Sequence, residues 1–195
     1  MNSTLKAMVN GGMRSSLLPL VAALRVEQSL LGPERADALF QAYSQALSLA
    51  PGHAGEYLRR GFYRLTLRRC GEDFTVGFGT VLSKQGVEVG DRVYVGMRCI
   101  IGHARLEDHV TIGSNVEILS GKAQHRFDDV ERPIQDQGGR FDTVSIGRNS
   151  WLGDGVIVMA DIGEACVVGA GSVVTEPLPG RVVAVGNPAR VIRER

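Results

Sequence analysis

"SIGRNSWLGDGVIVMADIGEACVVGAGSVVT" (residues 145–175) carries a beat that decides the architecture. An aliphatic residue followed by glycine recurs at Ile146-Gly147, Leu152-Gly153, Ile162-Gly163 and Val168-Gly169, and Val158 and Val174 keep time without the glycine. Toward the N-terminus the same beat runs through Val76-Gly77, Leu82, Val89-Gly90, Val95-Gly96, Ile101-Gly102, Leu106, Ile112-Gly113 and Ile118. Most steps are six residues; one is seven, one five and one four, and a long gap separates Ile118 from Ile146.

A second register accompanies the first. Four residues after each aliphatic comes a small or β-branched residue: Thr80, Val93, Cys99, Val110, Val116, Ser150, Val156, Cys166 and Ser172. These sit two residues before the next aliphatic, so both point the same way on a strand. A six-residue unit is then one short strand and one corner. Three units make a triangular turn, and stacked turns enclose a continuous aliphatic core. The corners need residues that tolerate left-handed backbone, which "GSN" (113–115) and "GRN" (147–149) supply. A sandwich or barrel would instead space its strands about 8–12 residues apart with turn clusters between them.

Composition sets the outer bounds. The 25 glycines among 195 residues are close to twice ordinary usage and must be positional, since hydrophobic content is an ordinary 44%. A formal net charge of +1 argues against a dedicated nucleic-acid surface. Cys70, Cys99 and Cys166 form no CxxC pair, which suits reduced thiols in the cytoplasm. The run "LLPLVAAL" (17–24) is too short for a membrane span and reads as helix rather than as a signal peptide.

Residues 1–70 follow a different period. "PERADALFQAYSQALSLAPG" (33–52) places Ala38, Leu39, Ala42, Ala46, Leu47 and Leu49 at helical spacing, with Pro33 in the first turn and Pro51-Gly52 ending it. "GEYLRRGFYRLTLRRC" (55–70) puts Leu58, Phe62 and Leu65 on one face, beside Arg59, Arg60, Arg64, Arg68 and Arg69. Such a basic amphipathic segment either touches an anionic membrane surface or packs on the main body with its arginines solvated. The expected organisation is an α-helical segment over 1–70 and a β-helix over 71–195, with a protruding loop at about 119–144 and a C-terminal cap.

The double register, "SWLGDGVIVMADIG" (150–163), "VVGAGSVVT" (167–175) and "GNPARVIR" (186–193) together resemble the hexapeptide-repeat acyltransferases. "SGKAQH" (120–125) followed by "RPIQDQGG" (132–139) is similar to bacterial acetyltransferases that O-acetylate sugars and surface polysaccharides. The resemblance implies a mainly β chain folded as a left-handed parallel β-helix, a handedness that periodicity alone does not give. It also implies a homotrimer, and acetyl-CoA and a saccharide acceptor bound in clefts between neighbouring prisms, with no resident metal.

By the same resemblance His125 is the general base, and Asp128, Asp129, Glu117 or a backbone carbonyl orients its ring. Trp151 walls the thioester cleft, the amide around Gly169-Ala170 faces the CoA arm, and Thr175, Arg190 and Arg193 lie near the CoA phosphates. Two departures stand out. Counted from Ile118, the histidine of many relatives falls nearer Ala123, and Glu176 replaces a lysine that often follows Thr175. Two other readings share the fold: a zinc hydratase, for which the spacing of His103, His109 and His125 is unsuitable, and a non-enzymatic scaffold.

Overall fold

The computed structural model describes the backbone of residues 3–195 and the side chains of residues 12, 13 and 15–195. Three helices come first: α1 (Ser3–Leu31), α2 (Ala36–Ser48) and α3 (Gly52–Thr66). Short strands follow: β1 (Arg69–Cys70), β2 (Thr75–Val76), β3 (Val81–Leu82), β4 (Glu88–Val89), β5 (Tyr94–Val95) and β6 (Ile100–Ile101). Next come β7 (Ala104–Leu106), β8 (Thr111–Ile112), β9 (Glu117–Ile118), β10 (Val144–Ile146), β11 (Trp151–Leu152) and β12 (Ile157–Val158). The last are β13 (Val167–Val168), β14 (Val173–Val174), β15 (Val182–Val185) and β16 (Arg190–Glu194).

Up to β12 every third strand returns to the same sheet; beyond β10 the first wall continues as single bridges at Ile162 and Leu178, so the other two walls then take every second strand. The orders β1-β4-β7-β10, β2-β5-β8-β11-β13-β15-β16 and β3-β6-β9-β12-β14 make the three walls of a prism. All neighbours are parallel except β15 and β16, which pair antiparallel, so the C-terminus lengthens the second wall. Inside, both registers are buried: the aliphatics from Val76 to Val174 form the stack, and Thr80, Cys99, Ser150, Cys166 and Ser172 sit between them. The polar members are paired as burial requires. Thr80 Oγ1 donates to Gly96 O (2.6 Å) and accepts from Cys99 N (3.0 Å), while Ser150 Oγ donates to Gly163 O (2.8 Å) and accepts from Cys166 N (2.9 Å).

The corners separate two demands that the sequence runs together. Gly113 has an ordinary φ, but a Cβ there would lie 2.8 Å from Asp154 N and 3.0 Å from Gly153 C, so glycine is needed for coil-to-coil approach. Left-handed backbone falls two residues later, at Asn115 (φ 57°) and, one coil on, at Gly155 (φ 69°). Arg92, Arg98, His109, Ala165 and Arg181 occupy equivalent corners with φ between 55° and 63°. Ordinary side chains pay a modest strain there, which the coil ladder holds in place: His109 N donates to Asp91 O (2.8 Å) and Arg181 N to Glu164 O (2.8 Å).

The first coil has no coil beneath it, and an open edge leaves unpaired backbone groups. The helices close it. Phe40, Phe62, Tyr63 and Phe74 form a buried aromatic cluster continuous with the prism core. Ser44 Oγ bonds the Tyr63 hydroxyl (2.6 Å) and accepts from Leu82 N on β3 (3.1 Å). The fully buried stripe of α2 is Phe40, Ser44 and Ser48; of the expected leucines, Leu39 and Leu47 pack partly buried against the core beside it and Leu49 is exposed.

The arginine-rich helix packs on the main body, but not all of its arginines are solvated. Arg59 and Arg60 are buried. Arg59 Nε donates to Val76 O on β2 (3.1 Å), and its Nη1 reaches Leu47 O, Ser48 O and Ala50 O at the end of α2. Arg60 Nε donates to Phe74 O, and Nη2 pairs with Glu56 (2.7 Å). Arg64 faces Glu72 (3.9 Å) and Arg68 faces Glu88 (3.5 Å). The buried guanidinium groups thus serve backbone carbonyls and a carboxylate, while Arg68 and Arg69 stay exposed beyond the helix. Among the described residues, no helix is long and apolar enough to cross a membrane.

Candidate functional site

The excursion between β9 and β10 is an ordered arm. Its two sides pair antiparallel: Asp142 N donates to Ser120 O (2.9 Å), Arg140 N to Ala123 O (2.8 Å) and Arg126 N to Gly138 O (2.9 Å). The tip is tied internally, with Gln137 Nε2 donating to Asp129 O (2.7 Å) and Arg132 O (2.8 Å). The root is fixed by buried Ser120, whose Oγ accepts from His103 N (2.9 Å). A salt bridge from Lys122 Nζ to Glu176 (2.7 Å) ties the arm to a C-terminal corner.

His125 stands exposed on this arm, and its ring has no hydrogen-bond partner among the described residues. It borders two open concavities of about 380 and 410 Å³, one shared with Lys122, Arg126, Phe127, Asp128 and Arg140, the other with Pro133, Ile134 and Gln135. Of the proposed orienting carboxylates, Asp128 shares a concavity with His125. Asp129 Oδ1 instead accepts the Glu131 amide (3.1 Å). Glu117 lies on the outer face of β9, opposite Ile100 and Ile157.

The other candidates lie on the prism. Trp151 is half exposed on the second wall, in register with Thr111 and Val167. Tyr94, which the sequence reading passed over, lies on the same outer row beyond Thr111 and is similarly exposed. It precedes Val95 as Trp151 precedes Leu152, so the repeat phase contained the signal. Of the Gly169-Ala170 pair, the Gly169 amide is committed to the ladder through Ala184 O (2.9 Å). The neighbouring Ala170 amide makes no hydrogen bond among the described residues. Arg190 and Arg193 lie exposed on β16, their guanidinium groups bonded only to nearby backbone carbonyls. Thr175 is half-buried beside Glu176.

His103 and His109 do not join His125. His109 occupies an exposed left-handed corner beside Arg148, Asn149 and Arg181, and among the described residues no three His, Cys, Asp or Glu groups converge as a metal site. The thiols are unsuited to nucleophilic work. Burial raises the pKa of Cys99 and pushes Cys70 up to about 12 from 9.0, against the opposing pull of Arg64 and Arg60. The unfolded Cys70 thiol ionises first, so its contribution to stability is present below pH 9 and lost as pH rises toward 12. The expected result is a decline in unfolding free energy across that window that is shallower in Cys70→Ala, read from urea unfolding at stepped pH.

Comparison with known proteins places these features. Residues 143–176 match the family model described as hexapeptide repeat of succinyl-transferase. Galactoside O-acetyltransferase of Escherichia coli is 34% identical over 113 residues, 55% of this chain and 54% of that protein. The chain spans about half the length of the curated relatives it matches. The crystal structure of a maltose O-acetyltransferase from Clostridium difficile superposes with a TM-score of 0.70 at 27% identity, covering 81% of this chain and 87% of that one. A galactoside acetyltransferase in complex with coenzyme A gives a TM-score of 0.67 at 22% identity, covering 81% and 82%. In its repeats and its fold the chain is similar to the hexapeptide-repeat O-acetyltransferases.

Proposed function

We propose that the protein transfers an acetyl group from acetyl-CoA directly to a hydroxyl of a sugar or surface-polysaccharide precursor, with His125 as general base. The observation that carries this reading is an unpartnered imidazole on an ordered arm beside a β-helix similar to maltose and galactoside O-acetyltransferases. A hydroxyl is a poor nucleophile at neutral pH, and neutral imidazole is the side chain best suited to take its proton. His125 removes the proton as the hydroxyl oxygen attacks the thioester carbonyl. The tetrahedral oxyanion then collapses, the carbon–sulfur bond breaks, and the CoA thiolate takes the proton back.

Of the candidate orienting groups Asp128, Asp129 and Glu117, Asp128 shares a concavity with His125, whereas Asp129 is tied to the Glu131 amide at the tip and Glu117 lies on the outer face of β9. Free backbone amides suit an oxyanion or the CoA arm, and the Ala170 amide has that character next to Gly169. Trp151 offers an apolar wall for the thioester. Arg190 and Arg193, with Thr175, provide phosphate-binding character at the C-terminal end, since guanidinium matches phosphate geometry. The unpaired thiols Cys70, Cys99 and Cys166 fit a cytoplasmic setting.

Release of free thiol from acetyl-CoA, followed with maltose, methyl galactoside and a panel of further saccharides, tests the reaction. Acceptor-dependent release is expected, and none with any saccharide would sink the proposal. The active unit is a homotrimer, because a single prism offers the arm and the walls without enclosing them. Sedimentation is expected to give three times the chain mass at assay concentrations; an active monomer would overturn this.

A further inference from the structure

We propose that Gly139 is a positioning residue for His125, an inference that rests on the reading of His125 as the base. Gly139 lies on the returning side of the arm, between the Gly138 carbonyl that accepts from Arg126 N and the Arg140 amide that donates to Ala123 O. Its α-carbon is pressed against the Gln124–His125 peptide. A Cβ at 139 would fall inside the van der Waals surface of Gln124 O and 2.9 Å from His125 N.

The neighbouring glycine differs. Gly138 has φ +72° with nothing near its absent side chain, whereas Gly139 has ordinary backbone and no space. Glycine at 139 is therefore required for contact, and the contact is with the peptide that carries the base. Pro133, Ile134 and Gln135 border the concavity on which His125 opens. The arm thus sets His125 through two elements of its returning side, and Gly139 sets the backbone. Because the arm stands outside the buried core, moving this peptide shifts the ring without disturbing the prism.

The test is a double-mutant cycle on the full chain, with Gly139→Ala, His125→Ala and the double variant, using acetyl-CoA and whichever of maltose or methyl galactoside the wild type turns over faster. Gly139→Ala is expected to lower kcat by about 10²-fold, the scale of an ångström-sized misplacement of a catalytic group. The KM for acetyl-CoA is expected to stay within about twofold, since no CoA contact changes. In the His125→Ala background the Gly139 substitution is expected to cost nothing further. Full turnover in Gly139→Ala, or an additive loss in the double variant, overturns the positioning role while leaving the base in place. Rapid hydrogen exchange at the Arg126 and Arg140 amides of Gly139→Ala also overturns it, because the glycine would then hold the arm together rather than aim the ring. Wild-type turnover in His125→Ala removes the base itself, and the role of Gly139 with it.

Discussion

His125→Ala is expected to lower turnover by roughly 10²–10⁴-fold, the usual worth of a positioned general base. The proposed trimer and the affinity for CoA are expected to survive, because the side chain is exposed on the arm and makes no hydrogen bond among the described residues. Single-turnover and steady-state thiol release separate the chemical step from binding. No acetyl-enzyme is expected to accumulate: Cys99 and Cys166 are buried in the core, and intact-mass measurement during turnover checks this. Near-full kcat in a folded His125→Ala protein would move the base elsewhere and sink the proposed mechanism.

The second large effect is on stability. Arg59→Met is expected to destabilise the protein by about 3–5 kcal/mol, the scale for removing one member of a buried charged hydrogen-bond network. The guanidinium satisfies four carbonyls, Val76 O, Leu47 O, Ser48 O and Ala50 O, and so joins α2 to the open coil edge in one group. Methionine fills similar volume without a donor, so the cost falls on Val76 O and Ala50 O; Leu47 O and Ser48 O still accept from Ala50 N and Gly79 N. Urea unfolding with an unchanged m-value measures it; a loss below about 1 kcal/mol would mean that water reaches those oxygens after all. Gly55 belongs to the same joint, since a Cβ there would lie about 3.0 Å from Arg59 Nη1 and collide with Ala50 O.

The candidate site was legible in part. His125 was visible because it falls in a break of a regular repeat, and Trp151 because it holds a fixed phase before a core leucine. Gly139 and the Lys122–Glu176 pair were not visible. Each depends on which strands of an irregular excursion lie side by side, and a segment without a period gives no rule for that pairing. The ladder role of the Gly169 amide is a different case. It follows from coil stacking once the register is known, whereas resemblance alone suggested a ligand contact.

The sequence by itself determined the prism: its strand length, its two inward registers and the corners, because a six-residue unit repeats one local geometry and each side chain's direction follows from strand periodicity. Only the tertiary structure decided what closes the prism and where the arm runs. Arg59 and Arg60 read as surface charges by composition, yet they turn inward because the first coil has carbonyls with no coil beneath them. Ser44 is buried between Leu39, Phe40 and Leu47 for a related reason, since it supplies the hydrogen bond that β3 lacks at its free edge. Unpaired backbone at the end of a repeat is invisible in any one repeat, and this need joined the apolar packing of Phe40, Phe62 and Tyr63 in setting the inner faces of the helices.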